Sequence, residues 1–250
     1  MFTLLFDSGY FVMSRNFRTQ RVGTLDWVRK NYNFQKVATF IDELVVLNIS
    51  GQPSHEDSFC AALSQLAEGC FAPITAGGGI RSLHDANELF LNGADKVMLN
   101  KALFSNPELV FEISRHYGRQ AVVGSIDFKK RENQYDAMIS RGTAEANLES
   151  AMSLVMDGAV GEIYANAILN DGTGQGMDIG LANFLFDKTR GKIPLILAGG
   201  AGKPAHLVEA LVDPIISGAA TANLLNFVGN GLEISRQHIR EAGVSLATWD

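Results

Sequence analysis

The chain has 250 residues, 46% of them apolar, and a formal net charge of −6 at pH 7. This length and apolar content allow a sizeable buried core, and the acidic balance argues against nucleic-acid binding, which needs clustered lysine and arginine. Two cysteines cannot form a disulfide framework and no apolar run approaches the ~20 residues of a membrane span, so we expect a cytoplasmic protein.

Eight short apolar runs alternate with helical patterns along the chain. They lie at residues 3–6, 44–49, 72–76, 96–99, 121–126, 162–167, 193–197 and 214–217. This alternation predicts a parallel α/β sheet, and about 250 residues is the usual length of one (β/α)8 barrel. We expect a single TIM-barrel domain over residues 1–250, with a small hairpin over 131–140. Arg15, Arg18 and Arg21 are interpreted as a solvated loop or an anion site.

One sequence motif occurs twice, and the two copies are separated by almost half the length of the chain. Residues 73–79 read Pro-Ile-Thr-Ala-Gly-Gly-Gly, and residues 194–200 read Pro-Leu-Ile-Leu-Ala-Gly-Gly. Each is an apolar strand that runs into glycines and then into a helical stretch, which predicts two half-barrels related by a pseudo-two-fold axis. A doubly wound open sheet would explain the alternation, but it would not produce a half-length repeat, and no G-x-G-x-x-G fingerprint follows the first strand.

The two glycine turns predict a phosphate cradle in each half. Glycine lets backbone N–H groups approach an anion closely, and a following helix adds a favourable dipole. The alternative is a tight βα turn with no ligand. The predicted phosphate-binding glycines are Gly78, Gly79, Gly199 and Gly200.

Polar residues after the fifth and sixth predicted strands indicate a reactive rim. Asp127 ends an apolar strand and is a candidate general acid–base group. Asp171-Gly172-Thr173-Gly174 follows the sixth strand and predicts a loop at the C-terminal face, where barrel enzymes place their active sites. As alternatives, Asp127 could cap a loop and Asp171 could belong to an ordinary turn. No histidine has metal-ligand spacing, so we expect neither a metal nor a cofactor.

Three charged residues lie at strand starts, at the opposite end of the predicted barrel. They are Glu43, Lys96 and Glu162. Charges at the N-terminal face usually contribute to stability, although a ring of them could surround a central opening.

These motifs resemble the cyclase subunit of imidazole glycerol phosphate synthase. The matching segments run in order along nearly the whole chain, at residues 16–17, 42–44, 76–80, 93–97, 125–127, 171–173 and 197–203. The resemblance implies a (β/α)8 lyase of histidine biosynthesis that works with a glutaminase partner. Ammonia from the partner passes through the barrel from its N-terminal face and reacts at the C-terminal face with a substrate that bears a phosphate at each end.

The resemblance also implies roles for individual residues. Asp127 matches the general acid, and Asp171 and Thr173 match the substrate loop. Asp95 matches a partner-facing carboxylate. The phosphate-side positions are Gly78, Gly79, Asn100, Gly199 and Gly200, and three of the four charges that gate the ammonia entrance are Glu43, Lys96 and Glu162.

The chain also departs from the family pattern. Leu5 stands where the family has the aspartate that acts as general base, and leucine cannot move a proton. Met13 replaces a loop lysine, and Ala198 replaces a serine. The arginine of the gate would fall before Met1. Asp7 lies two residues beyond Leu5, where strand alternation could point it the same way.

This pattern is similar to a paralogous branch of the family that occurs with bacterial surface-polysaccharide genes. In that branch the barrel and its glutaminase-like partner supply ammonia to a separate sugar amidotransferase, so our leading hypothesis is an ammonia channel with weak or lost cyclase activity. The alternatives are the ordinary cyclase with Asp7 as its base, and a purely structural or allosteric subunit. An unrelated phosphosugar isomerase on the same scaffold also stays open.

Overall fold

The structure, a computed structural model, describes residues 1–32, 37–54, 57–132, 134–222 and 230–248. Its strands are β1 (Phe2–Asp7), β2 (Tyr10–Arg15), β3 (Arg18–Gly23), β4 (Leu44–Asn48), β5 (Ile74–Gly77), β6 (Lys96–Leu99), β7 (Val122–Arg131), β8 (Gln134–Ile139), β9 (Ala144–Glu145), β10 (Glu162–Ala167), β11 (Leu195–Ala198) and β12 (Gly218–Ala220). Its helices are α1 (Leu25–Tyr32), α2 (Asp57–Ala67), α3 (Leu83–Leu91), α4 (Ala102–Ser105), α5 (Pro107–Tyr117), α6 (Leu148–Met156), α7 (Ile179–Thr189), α8 (Pro204–Leu211) and α9 (Gly231–Glu241).

Eight parallel strands form a closed ring. Their order is β1, β4, β5, β6, β7, β10, β11 and β12, with each strand hydrogen-bonded to the next. A parallel bridge between Phe2 and Thr221 joins the last strand to the first, and the amide of Thr3 donates to the carbonyl of Thr221 at 2.9 Å. The predicted (β/α)8 barrel is therefore confirmed, and the open-sheet alternative is wrong.

Successive side chains of each ring strand point to opposite faces, which divides the core into two layers. In β4, Leu44 and Val46 face the surrounding helices, whereas Val45 and Leu47 face the inside of the ring. The inner cluster consists of Val45, Met98, Val123, Tyr164, Ile196, Ala198 and Ala220. Because both strand faces are buried, the strands read as continuous apolar runs.

The last ring strand lies later than predicted. The sequence predicts it at 214–217, but the structure places it at Gly218–Ala220. The carboxylate of Asp213 accepts the amide of Ile215 at 3.1 Å, and its carbonyl accepts the amide of Ile216 at 3.1 Å. These bonds hold the predicted segment in a turn, and the short strand itself has no β-branched residue to signal it.

An antiparallel hairpin follows the first strand, where the sequence predicts a solvated loop or an anion site. The loop prediction is wrong, because Arg15 pairs with Arg18 across β2 and β3, and the guanidinium of Arg21 lies 4.4 Å from the ring centre of Tyr10. Phe11 is buried against Phe6 and anchors the hairpin. The hairpin predicted over 131–140 is formed by the end of β7 and by β8.

The half-length repeat is visible in the ring itself. Strands β5 and β11 lie four positions apart, and each is followed directly by a glycine with positive φ, +94° at Gly78 and +91° at Gly199. A Cβ atom at Gly78 would lie 1.9 Å from the carbonyl oxygen of Asn48, and one at Gly199 would lie 2.8 Å from that of Ala167. Each turn therefore packs against the end of the preceding ring strand, which requires glycine whether or not a ligand binds.

Candidate functional site

A cavity of about 470 Å³ opens at the C-terminal end of the ring. Strand ends, both glycine turns and the β2–β3 hairpin surround it. It brings together most of the predicted site residues, namely Gly78, Gly79, Asn100, Asp127, Asp171, Gly199 and Gly200. Two residues predicted for this site, Asp7 and Thr173, do not line the cavity.

Asp127 lies in the cavity between two amide side chains. Its two carboxylate oxygens accept from Asn100 at 3.1 Å and from Asn166 at 3.2 Å. Burial, which is the largest cause, and the carboxylate of Asp171 together raise the pKa of Asp127 to about 7, although the hydrogen bonds from both amides lower it. Near neutral pH this group can therefore either donate or accept a proton, as a general acid–base catalyst must.

Asp171 attaches the β2–β3 hairpin to the rim. One carboxylate oxygen accepts the hydroxyl of Ser14 at 2.5 Å and the amide of Phe17 at 3.2 Å, and the backbone carbonyl accepts the amide of Asn16 at 2.9 Å. Asp171 also lines the cavity, and its role in a substrate loop stays a prediction. Thr173 instead donates to the carbonyl of Asn170 at 2.8 Å, within its own loop.

The position of the expected general base is apolar. Thr3 and Leu5 line the cavity from β1. Asp7 pairs with Tyr10 at the hairpin and accepts the hydroxyl of Ser8 at 2.9 Å. Its position outside the cavity wall argues against a role as base. In the part of the chain that the structure describes, the carboxylates that line the cavity are those of Asp127 and Asp171.

Two further substitutions noted in the sequence occupy different places. Met13 lies in β2 opposite Gln20 and is not among the residues that line the cavity. Ala198 ends β11 and contributes a buried, apolar surface to the cavity wall.

Three cations line the rim beside the first glycine turn, and the sequence analysis missed them. Arg81 donates to the carbonyl of Gly51 at 2.9 Å, and Arg141 donates to that of Ile49. Lys101 lines the same side. Arg81 and Lys101 follow predicted phosphate-side residues closely, which is a usable signal, but Arg141 comes from the distant β8–β9 turn.

Tyr164 crosses the inside of the ring below the cavity. Its hydroxyl lies 3.1 Å from that of Thr3 on β1, and both residues are buried. Burial raises the pKa of Tyr164 and keeps the phenol neutral. Both residues line the cavity, and Tyr164 also belongs to the inner cluster.

The opposite mouth holds the three predicted gate residues in contact. The ammonium of Lys96 lies 2.8 Å from Glu43 and 2.7 Å from Glu162, and the hydroxyl of Thr75 donates to Glu43. Burial raises the pKa of Glu43. Burial also disfavours the charged form of Lys96, but its bonds to the two carboxylates outweigh this, and the net pKa of Lys96 is raised.

Around this mouth the surface offers a second cavity and exposed apolar groups. A space of about 460 Å³ reaches Glu43 and Glu162. Asp95 is exposed, and one of its oxygens accepts the amide of Ile74 at 2.8 Å. Phe71, in the connection before β5, and Leu91, the last residue of α3, are 86% and 79% exposed.

Two kinds of feature are absent from the residues that the structure describes. No group of three or more His, Cys, Asp or Glu side chains there could hold a metal ion. No described helix is long and apolar enough to cross a membrane.

Comparisons with known proteins agree on one family. A family model described as histidine biosynthesis protein matches residues 20–229. The chain is 46% identical over 252 aligned residues, covering 100% of this chain and 93% of the relative, to a protein of Parasynechococcus marenigrum provisionally named imidazole glycerol phosphate synthase subunit hisF2. It is 34% identical to the imidazole glycerol phosphate synthase subunits HisF of Pyrobaculum aerophilum, over 82% of this chain and 81% of the relative, and of Chlorobium limicola, over 82% of each.

Proposed function

Because the chain belongs to the histidine biosynthesis protein family, as a HisF-like cyclase subunit of imidazole glycerol phosphate synthase, we propose that it receives ammonia from a glutaminase partner and passes it through the barrel. We further propose a paralogous role in which this ammonia serves sugar amidation in surface-polysaccharide synthesis. The observation that carries the proposal is the pairing of a charged mouth, in which Lys96 contacts Glu43 and Glu162, with a leucine at the base position.

The interior of the ring is better suited to a neutral molecule than to an ion. Between the charged mouth and the C-terminal cavity it is lined by Val45, Met98, Val123 and Ile196. An ion that entered this apolar space would lose its hydration, which is costly, whereas neutral ammonia would lose far less. The interior therefore favours passage of ammonia over ammonium.

The C-terminal cavity supports only half of the cyclase chemistry. Asp127 can hold a proton near neutral pH because its pKa is raised to about 7. Leu5 cannot act as its counterpart, and loss of one acid–base group typically lowers a rate by roughly 10²–10⁴-fold. The ordinary cyclase is the second candidate, favoured by the retained Asp127, and it would need Asp7 as base.

The N-terminal face supports a docked partner. Phe71, in the connection before β5, and Leu91, at the end of α3, are large apolar side chains exposed to solvent. Asp95 lies on the same face, directly before the gate residue Lys96. Aromatic side chains are enriched in the buried cores of interfaces, and polar groups surround them at the rim.

Reconstitution with the glutaminase tests this function. We would measure glutamine hydrolysis, amidation of a sugar acceptor by its amidotransferase, and turnover of the ribulosyl substrate of ordinary cyclases. We expect coupled hydrolysis and amidation, with cyclisation at most about a hundredth of the ordinary rate. Leu5→Asp should raise cyclisation. Ordinary turnover that Asp7→Asn abolishes would instead establish the second candidate.

A further inference from the structure

A hydrogen bond spans the interior of the ring next to the C-terminal cavity. The hydroxyl of Tyr164, on β10, lies 3.1 Å from that of Thr3, on β1. Strands β11 and β12 lie between β10 and β1, so the two strands are three steps, or roughly 14 Å, apart along the ring. The phenol therefore reaches across the ring instead of bonding to a neighbouring strand.

The two intervening strands leave room for this contact. At their carboxyl ends they contribute the small residues Ala198 and Ala220 to the inner cluster, to which Tyr164 also belongs. All three residues are buried. Small residues at these positions allow an aromatic ring to lie across the interior.

The cavity ends at the level of this pair. Thr3 and Tyr164 line it. Val45 and Val123 belong to the same inner cluster as Tyr164, but they are fully buried and do not line the cavity. Val123 pairs with Glu162 of the charged mouth, so it lies on the far side of Tyr164. The phenol thus stands at the boundary between the cavity and the interior that ammonia would cross.

We propose that Tyr164, held by Thr3, is a closure of the ammonia path at its C-terminal end, distinct from the charged mouth. It holds ammonia in the interior until the phenol rotates into the cavity, whose volume of about 470 Å³ can accommodate the ring. A single hydrogen bond between neutral groups contributes little net stability, so thermal motion can break it. The inference rests on the proposed function, and it adds a residue that controls release along the same path.

Access to a thiol behind the closure tests it without any ammonia chemistry. Val123→Cys introduces that thiol into the full chain, and methyl methanethiosulfonate, a small neutral reagent, is the probe. Peptide mass spectrometry separates its labelling from that of Cys60 and Cys70. Adding Tyr164→Ala should raise the labelling rate more than about tenfold, because truncation joins the interior to the cavity. Reagent that enters by the charged mouth labels every variant alike.

Smaller changes test the hydrogen bond itself. Tyr164→Phe and Thr3→Val each remove one hydroxyl and nearly preserve shape, and each should accelerate labelling about twofold to tenfold, as loss of one neutral hydrogen bond predicts. Tyr135→Phe is the control, since the hydroxyl of Tyr135 bonds to Asp178 outside the ring, at 2.9 Å. Thermal melting would confirm that each variant folds, and if Tyr164→Ala does not fold, the two smaller changes decide.

Two labelling outcomes would overturn the inference. One is an equal rate in the parent Val123→Cys protein and in all folded variants. The other is acceleration by Tyr164→Ala alone, which would indicate a fixed plug without a latch.

The reconstituted assay supplies an independent measurement. With limiting acceptor, Tyr164→Phe should lower the amide formed per glutamine hydrolysed severalfold, because ammonia escapes before the acceptor is present. An unchanged ratio would also overturn the inference. If the wild type delivers no ammonia while labelling responds as expected, the proposed function is wrong, whereas Tyr164 remains a barrier in the ring.

Discussion

The carboxyl group of Asp127 should make stability depend on pH. Its pKa in the folded protein is raised to about 7 from an ordinary 3.8, so the folded state holds the proton more tightly than the unfolded state. The stabilising contribution of the neutral acid is therefore complete below about pH 4 and is lost as the pH rises through about 7.

Chemical denaturation of the wild type and of Asp127→Asn between pH 4 and pH 8 would measure this effect. The unfolding free energy of the wild type should fall relative to that of the variant by about 2–4 kcal/mol, because one pKa unit corresponds to ~1.4 kcal/mol. Asp187→Asn, which changes an exposed carboxylate of α7, should leave the pH dependence unchanged. A constant difference between wild type and Asp127→Asn would contradict the raised pKa.

The proposed gate allows a second test by substitution of a single side chain. Glu162→Gln keeps the shape of the side chain but removes one carboxylate from Lys96, which lies 2.7 Å away. We expect glutamine hydrolysis to continue while the fraction of ammonia that reaches the acceptor falls severalfold. Lys192→Met changes an exposed lysine in the connection before β11 and is the control. Equal coupling in Glu162→Gln and wild type would remove the gate from the mechanism.

Strand-end residues could be predicted from the sequence, but rim residues could not. Asp127 directly follows a predicted apolar strand, and Lys96 is the first residue of another. The position of a residue at the start or end of a strand fixes the end of the barrel at which it lies. Arg141 reaches the cavity from a hairpin turn, and neither its sequence neighbours nor its spacing indicates that location. Asn166, the second amide beside Asp127, lies inside a predicted strand and was missed because an isolated asparagine carries little signal.

The β2–β3 hairpin shows how tertiary contacts override local pattern. Strand β3 is mostly exposed and rich in charged residues, so it lacks the apolar alternation that predicts a strand. It is held by pairing with β2 and by the bonds of Asp171 to Ser14 and Phe17. The bonds of Asp171 join residues that are far apart in the sequence, so they cannot be predicted from local sequence patterns.

Removing the carboxylate of Asp171 should loosen this hairpin. In Asp171→Ala the hydroxyl of Ser14 and the amide of Phe17 lose their acceptor, which typically costs about 1–3 kcal/mol of local stability. Hydrogen exchange of amides in β2 and β3 should then accelerate by roughly tenfold or more. Thr173→Ala removes a hydroxyl that bonds within its own loop, and it should leave exchange in the hairpin unaltered. Unchanged protection in Asp171→Ala would show that the hairpin is held by other contacts.

For the barrel as a whole, the decisive property is whether ammonia can pass through its interior. Ala220→Trp would place an indole where the inner cluster meets the C-terminal cavity. If ammonia passes through the ring, amidation that depends on glutamine should fall at least tenfold, while amidation with added ammonium salts persists.

The matched variant is Ala205→Trp, which adds the same bulk to an exposed position of α8. Overpacking the interior typically costs about 1–3 kcal/mol, so thermal melting must first show that Ala220→Trp is folded at the assay temperature. Full amidation by a folded Ala220→Trp protein would favour a purely structural or allosteric subunit.

The equivalent packing of the two glycine turns has a consequence for assembly. Gly78 interlocks with the end of β4 and Gly199 with the end of β10, so each interlock joins elements of the same half. A polypeptide cut in the turn before β7, near Gly118, would leave both interlocks whole. Separately produced fragments should then recognise each other and complement into a working ring, with the seams lying along the β6–β7 and β12–β1 edges.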